Sequence, residues 1–459
     1  MPRISNSQRL NESAAAILLV AALLFGGGSR GLGDFTVHLL ALPVLLLGWV
    51  AWRPAQWNRL QKLFGLLLLA ATGLILLQLL PLPASLYAAL PQRAEVLTEL
   101  RAAGLEPAGL PMTLDVWGSV RALLSLVVFA AMWLIASGLS SESRLRLLKL
   151  ALFTATAMAL LGFWQAAAGH QPTLRFYEFH NTFGATATFA NRNHFASLLA
   201  MLLPIALVLG GRAQAQRERP WMITWYSVAV ILLLGAALTY SRSGMLLASL
   251  AAVVGGFAAW RAAAERRRSS GLGTKLPLIA VAVAAAGAVF NYAWQILLGR
   301  FDQDPMEDLR WQYLEHGREA ATAYLPWGSG FGSFKPVYAG HEPIEAMVGS
   351  HALHAHNDLL ELAIEAGLPG LLLTALMLAL IGWGIARRIR PSVRARYLGI
   401  AVAVAVLVPL LHSISDYPLR TLAVLATWAL LLSELMIART NGEAGPSRGG
   451  TKADSDSAT

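Results

Sequence analysis

Residues Ser350–Gly370, SHALHAHNDLLELAIEAGLPG, join a polar, histidine-rich segment to the start of a long apolar helix. Three histidines, an asparagine and an aspartate precede an apolar run that continues to about residue 386. A helix of that length can cross the roughly 30 Å hydrocarbon core of a bilayer. The segment therefore indicates a membrane-spanning helix whose entrance carries side chains suited to chemistry.

The composition of the whole chain is that of a membrane protein. Of its 459 residues, 56% are hydrophobic and 14% are charged, and the mean hydropathy is +0.54. We predict an all-α polytopic membrane protein with a single integral membrane domain at residues 1–440 and a disordered cytoplasmic tail at 441–459. The chain has no cysteine, which excludes disulfides, a thiolate nucleophile and a cysteine-based metal site.

Apolar runs of sufficient length predict about twelve transmembrane helices. Tyr240–Gly244 is the only separation between the seventh and eighth, so a re-entrant hairpin is the alternative there. The predicted spans are residues 13–28, 35–53, 63–81, 118–138, 147–168, 194–210, 221–240, 243–260, 276–297, 358–386, 397–413 and 418–437.

The distribution of basic residues predicts the orientation of these spans. With both termini in the cytoplasm, most of the 36 Lys and Arg fall on the cytoplasmic side, and all ten histidines lie in or near external segments. The long loops at about 82–117, 169–193 and 298–357 are then external, and the last contains a helical pattern from Met306 to Tyr324. The high pI of 10.1 therefore reflects membrane topology, and we expect no nucleic-acid partner.

Arginines form a second group at the predicted external face. The planar guanidinium group suits a phosphate or pyrophosphate. Arg242 is the most informative, because it lies between two spans with almost no loop. The alternatives for Arg242 are a residue that snorkels to the interface or an ion pair with Asp416. The others are Arg192, Arg300, Arg310, Arg318 and Arg420.

The histidine cluster does not have the spacing of a metal site. His354 and His356 are two residues apart at the start of a predicted helix, where side chains at that spacing diverge. The chain also lacks an H-E-x-x-H motif. We therefore expect no metal and no cofactor, with arginines supplying the positive charge that a cation would otherwise provide.

Four segments together resemble the O-antigen ligase and O-antigen polymerase superfamily of bacterial inner membranes. They are Thr188–Ala196 (TFANRNHFA), Ser241–Gly244 (SRSG), the region from Arg310 to Gly330, and His356–Leu360 (HNDLL) with Gly367. The resemblance implies a GT-C-like helical fold with a large periplasmic loop that contains short helices. It also implies transfer of a glycan from an undecaprenyl-pyrophosphate carrier to an acceptor at the periplasmic face.

The resemblance assigns catalytic roles to His356, Arg242 and Arg310. His356 would take the proton from the attacking hydroxyl of the acceptor sugar, and the two arginines would stabilise the departing pyrophosphate. Such a direct displacement is metal-independent and inverts the anomeric centre. Other residues predicted to contact the pyrophosphate or glycan are Arg192, Asn193, His194, Arg300, Arg318, His354, Asn357, Asp416 and Arg420.

Several alternatives remain open at the level of sequence. His356 could form an N-terminal helix cap together with Asn357 and Asp358. The acceptor is lipid A-core if the protein is a ligase and a lipid-linked repeat if it is a polymerase, and a chain-length regulator is a further candidate partner. Twelve spans also suit a transporter, although the sequence shows neither an internal repeat nor a polar group near the bilayer midplane.

Overall fold

The computed structural model describes residues 6–28, 31–168, 175–177, 181, 184–264, 287, 305–344, 352–389 and 393–437. Its helices are α1 (Asn6–Phe25), α2 (Leu32–Ala51), α3 (Arg59–Leu79), α4 (Ala84–Ala88), α5 (Arg93–Ala102), α6 (Val116–Gly138), α7 (Ser141–Ala168), α8 (Arg192–Gln216), α9 (Arg219–Leu238), α10 (Arg242–Ala264), α11 (Pro305–Tyr324), α12 (Phe334–Ala339), α13 (Asp358–Ile389), α14 (Val393–His412) and α15 (Leu422–Met436). Short 3-10 turns lie at Pro54–Gln56 and Pro418–Arg420.

The predicted all-α polytopic membrane fold is confirmed. Within the described residues, nine helices are long and apolar enough to cross a membrane: α1, α2, α3, α6, α7, α8, α9, α10 and α13. Two shorter apolar helices, Arg396–His412 and Leu422–Met436, bring the matches to eleven of the twelve predicted spans. The predicted span at 276–297 and the predicted tail at 441–459 lie outside the described residues.

Helix α8 forms the centre of the bundle. Its apolar portion is buried along its whole length, and it packs against α9, α10 and α14. A helix that is apolar on every side is stable only when other helices surround it. Because α8 begins at Arg192, its polar first turn is held in a fixed position at one end of the bundle.

Helix α13 is broken at Gly367, where the sequence predicted one continuous span. Gly367 has φ of 57°, and a Cβ at this position would lie 2.2 Å from the backbone oxygen of Pro326. Pro369 has no N–H to donate to the carbonyl of Glu365, so that carbonyl needs another donor. It accepts hydrogen bonds from the Gly330 backbone N–H at 2.8 Å and the Gln78 side chain at 3.1 Å.

Both predicted external loops that the structure describes contain ordered elements. The segment 82–117 carries α4, α5 and a short ribbon absent from the prediction, in which β1 (Pro81–Pro83) pairs antiparallel with β2 (Gly109–Pro111). The predicted helix at 306–324 is confirmed as α11. The described part of 298–357 also contains α12.

A buried arginine joins these two external segments. The Arg93 side chain, only 1% exposed, donates hydrogen bonds to the backbone oxygen of Met112 at 2.7 Å and that of Gly328 at 3.3 Å. Backbone carbonyls thus satisfy a charged side chain that burial would otherwise destabilise. The contact fixes α5 against the glycine-rich turn that covers the break in α13.

Candidate active site

Asp416 lies at the centre of a buried polar cluster at one end of the bundle. It follows α14, and its carboxylate is fully buried. Its Oδ2 accepts a hydrogen bond from Asn193 Nδ2 at 2.6 Å, and its Oδ1 lies 3.3 Å from His356 Nδ1 and 3.5 Å from His194 Nε2. The Tyr417 backbone N–H also donates to Oδ1 at 2.9 Å.

The surroundings of Asp416 keep it ionised. Burial by itself raises the pKa of this carboxyl, but the neighbouring His194 and His356 rings lower it further than burial raises it. The pKa of Asp416 is consequently well below its ordinary value. The carboxylate is therefore a fixed negative charge against which two imidazole rings are oriented.

His356 is held in an unusual conformation that brings its ring to Asp416. Its φ is 50°, a left-handed value that costs energy for a residue other than glycine. The Tyr313 ring stacks nearly parallel to it at 6.0 Å and the Tyr417 ring meets it edge-on at 5.1 Å. Its Nδ1 lies within ion-pair distance of Asp416 without forming a hydrogen bond, so the contact is electrostatic.

Tyr417 connects three histidines that come from two distant parts of the chain. Its ring centroid lies 4.1 Å from that of His354, 4.7 Å from that of His194 and 5.1 Å from that of His356. Burial raises the pKa of the Tyr417 phenol, so this group stays neutral. Tyr417 thus acts as an uncharged spacer that separates the three imidazole rings.

The predicted residues on α8 belong to the same cluster. Asn191 caps the helix by accepting a hydrogen bond from the Asn193 backbone N–H at 2.8 Å. His194 is buried, and its Nδ1 lies 2.6 Å from Thr421 Oγ1. Asn193 and His194 therefore contact Asp416 and its turn, which makes them supports for the cluster.

Arg420 is surrounded by three carboxylates of α13. Its Nε, Nη1 and Nη2 lie 3.1 Å from Asp358 Oδ1, Glu361 Oε1 and Glu365 Oε2 respectively. These acidic residues lie on one face of the helix, at spacings of three and four. The geometry does not support the predicted contact of Arg420 with the pyrophosphate or glycan, because its guanidinium group is already engaged by protein carboxylates.

Two other predicted residues also have structural partners. Asn357 Oδ1 accepts hydrogen bonds from the backbone N–H groups of Leu359 at 3.1 Å and Leu360 at 3.0 Å. His354 Nδ1 lies 2.7 Å from Glu361 Oε1. Asn357 is therefore the N-cap of α13, whereas His356 turns away from the helix end towards Asp416.

The two arginines that the resemblance makes catalytic lie on elements that border this cluster. Arg242 is the first residue of α10, and the next residue, Ser243, contacts Ser415 with 3.1 Å between hydroxyl oxygens. Arg310 lies one turn before Tyr313 on α11. Its Nε is buried without a hydrogen-bond partner, and its charge acts on His412, which lies four residues before Asp416.

The remaining predicted arginines differ in position. Arg192 begins α8 beside Asn193 and is half-buried, whereas Arg318 is exposed on α11. Arg300 and His351 lie outside the described residues. Among the residues that the structure describes, no three His, Asp or Glu side chains are grouped so that they could hold a metal ion.

Sequence reasoning missed the aromatic and hydroxyl groups of the site. Tyr313, Tyr417 and Thr421 contact histidines that are distant in sequence, so no local spacing could identify them. The only usable signal was the direct adjacency of Tyr417 to Asp416. The sequence also gave no sign that His356 and His194 lie at the Asp416 carboxylate, because these residues are far apart along the chain.

A family model matches part of the chain. Residues 227–375 match a family model described as O-antigen ligase, which confirms the resemblance to the O-antigen ligase and O-antigen polymerase superfamily. The matched region contains Arg242, Arg310 and His356, whereas Asn193 and Asp416 lie outside it. No curated protein matches the chain. The protein is thus a polytopic membrane protein with a region similar to the O-antigen ligase family.

The Arg420 cluster gives a stability prediction. The substitution Arg420→Met leaves three carboxylates close together without their cation, and we expect the free energy of unfolding to fall by about 3–5 kcal/mol. Thermal unfolding of the purified protein in detergent measures the effect. Arg318→Met is the matched control, because Arg318 is exposed, and it should change stability by no more than about 0.5 kcal/mol. Equal melting temperatures for both variants would contradict the structural role of Arg420.

Proposed function

We propose that the protein is a glycosyltransferase that moves a glycan from an undecaprenyl-pyrophosphate carrier to an acceptor sugar, with ligation of O-antigen to lipid A-core as the favoured reaction. The observation that carries the proposal is the contact between His356 and the buried Asp416, with Arg242 and Arg310 on the bordering helices. The family match supports glycan transfer of this general type.

In the proposed reaction, an acceptor hydroxyl oxygen attacks the anomeric carbon of the donor glycan. The bond from that carbon to the pyrophosphate oxygen breaks, and the hydroxyl proton moves to Nε2 of His356. The leaving pyrophosphate keeps the bonding electrons. A single displacement of this kind inverts the anomeric centre.

Asp416 and the two tyrosines prepare His356 for this role. The carboxylate faces Nδ1, which leaves Nε2 as the nitrogen that can accept a proton. As His356 becomes positively charged during the reaction, the fixed negative charge of Asp416 stabilises it. Tyr313 and Tyr417 limit rotation of the ring by contacts on two sides.

Arg242 and Arg310 stabilise the negative charge that develops on the leaving pyrophosphate. A guanidinium group can donate two parallel hydrogen bonds to phosphate oxygens. The buried Nε of Arg310 has this donor capacity unused. The arginines then supply the positive charge that a divalent cation supplies in other transferases, and the reaction is metal-independent and needs no cofactor.

The proposal includes a location and a set of partners. The protein spans the bacterial inner membrane with both termini in the cytoplasm, and its active site faces the periplasm. The lipid-linked donor and the acceptor approach from the bilayer, and a chain-length regulator is a further candidate partner. A transporter would instead place polar residues near the bilayer midplane, whereas the site residues lie at the ends of α8, α10, α13 and α14.

The base assignment predicts the effect of His356→Ala. Removal of a general base typically slows a reaction by about 10²–10⁴-fold, so we expect glycan transfer by the purified variant to fall to background. Mass spectrometry of the acceptor after incubation with lipid-linked donor measures transfer. His341→Ala is the matched control, because His341 lies beside α12 and, within the part of the chain that the structure describes, its ring contacts the Val337 backbone oxygen and the Tyr324 ring. Retained transfer by a folded His356→Ala protein would refute the assignment.

The arginine assignment predicts a second kinetic effect. Arg242→Gln and Arg310→Gln should each lower kcat/KM for the donor by about 10²–10³-fold, because each removes a charge from the leaving group. The control is Arg101→Gln, because Arg101 is exposed on α5 and is not a predicted site residue. A steady-state assay with varied donor concentration distinguishes these cases. Equal kcat/KM for Arg310→Gln and Arg101→Gln would show that Arg310 does not contact the reacting group.

A further inference from the structure

A large apolar cavity reaches the Arg420 cluster, whose residues form part of its lining. Its volume is about 670 Å³, and residues of α3, α6, α13, α14 and α15 line it. Aromatic rings of Phe64, Phe129 and Trp428 form its deep end. We name this cavity the interhelical groove.

The depth of the groove corresponds to one leaflet of a bilayer. On α6 the lining runs from Gly118 to Phe129. At a rise of 1.5 Å per residue, these eleven steps span roughly 17 Å. The hydrocarbon core of a bilayer is about 30 Å thick, so the groove covers about half of it. Its dimensions and apolar lining therefore suit lipid chains from a single leaflet.

The most exposed charges at the polar end of the groove are positive. Asp358, Glu361 and Glu365 also line this end, but all three carboxylates face Arg420, and their side chains are 19%, 1% and 0% exposed. Arg121 is 46% exposed, and its nearest carboxylate oxygen, on Asp115, is 3.8 Å away. Lys335 also lines the end of the groove and is exposed. A lipid with a phosphorylated headgroup complements this pair of cations.

The polar end of the groove is continuous with the candidate active site. His354 lines the groove, and its ring contacts Tyr417, which in turn contacts the ring of His356. A headgroup held at this end thus lies beside the proposed base. By contrast, Arg242 and Arg310 do not line the groove, so a lipid bound there would not place its phosphates on the arginines assigned to the donor.

We propose that the interhelical groove binds the acceptor lipid. The acyl chains lie against Phe64, Phe129 and Trp428, and phosphate groups at the base of the headgroup contact Arg121 and Lys335. The inference rests on the proposed function, and it assigns the two lipid substrates to opposite sides of His356. The phosphates of the donor lipid bind to Arg242 and Arg310.

Binding measurements without turnover test the groove directly. The full-length protein is purified in nanodiscs, and the probes are lipid A-core and undecaprenyl pyrophosphate. Arg121→Glu and Lys335→Glu should each weaken binding of lipid A-core about tenfold and leave binding of undecaprenyl pyrophosphate unchanged. The control is Arg101→Glu, an exposed charge reversal on α5 that does not line the groove.

Three outcomes would overturn the proposal. Binding of undecaprenyl pyrophosphate could fall in place of lipid A-core binding, which would assign the groove to the donor. A second such outcome is that the charge reversals change the binding of neither probe. The groove could also retain only phosphatidylglycerol from the nanodisc, which would make it an ordinary lipid-filled surface.

The experiment also separates this inference from the proposed function. If the protein binds lipid A-core through Arg121 and Lys335 but transfers no glycan, the groove is confirmed as a lipid site and the proposed activity is refuted. If glycan transfer occurs with the same KM for the acceptor in the wild type and in both charge-reversal variants, the proposed activity is confirmed and the groove proposal is refuted.

Discussion

The buried carboxylate of Asp416 is the interaction on which the site depends. An ionised group without water must be paired, and Asp416 is fully buried. Its partners come from three separate segments: Asn193 and His194 on the first turn of α8, His356 before α13, and the backbone N–H of Tyr417. Loss of the charge would leave these segments without the group that brings them together.

A second buried charge cluster connects the site to the segment that carries the glycine-rich turn and α12. Arg420 holds the acidic face of α13 through Asp358, Glu361 and Glu365. The Glu365 carboxylate accepts a hydrogen bond from the Phe334 backbone N–H, and its backbone carbonyl accepts one from Gly330. That carbonyl is free because Pro369, two residues after the break at Gly367, has no N–H to donate to it. The glycine-rich turn and the polar end of the bundle are therefore stabilised by the same few residues.

The sequence predicted the elements of the fold well because hydrophobic length and periodicity are local properties. Nine candidate spans and two shorter apolar helices of the described residues follow from apolar runs, and α11 follows from a helical pattern. The break at Gly367 was not predicted, since it depends on close contact with Pro326 and Gly328 from another segment. A glycine before a leucine and a proline is compatible with a continuous span and with a broken one.

The residues of the site were predicted more completely than their roles. His356 was predicted as catalytic from the family resemblance, and His354, Asn193, Asp416 and Arg420 were predicted as substrate contacts. The structure brings all five to one end of the bundle. Which of them contact each other depends on packing between helices that are far apart in sequence. Arg420 was expected to bind an anion, but it lies among protein carboxylates, and Asp416 faces imidazole rings.

The most direct test of the account is mass spectrometry of surface glycans from a strain that lacks the protein and carries either the wild-type chain or Asp416→Asn. We expect the wild type to restore polysaccharide on lipid A-core. The Asp416→Asn strain, with the variant present in the membrane at the wild-type level, should lack it and retain intact lipid-linked polymer. Accumulation of single lipid-linked repeats would identify a polymerase, and normal glycosylation of lipid A-core in the Asp416→Asn strain would contradict the central role of the buried carboxylate.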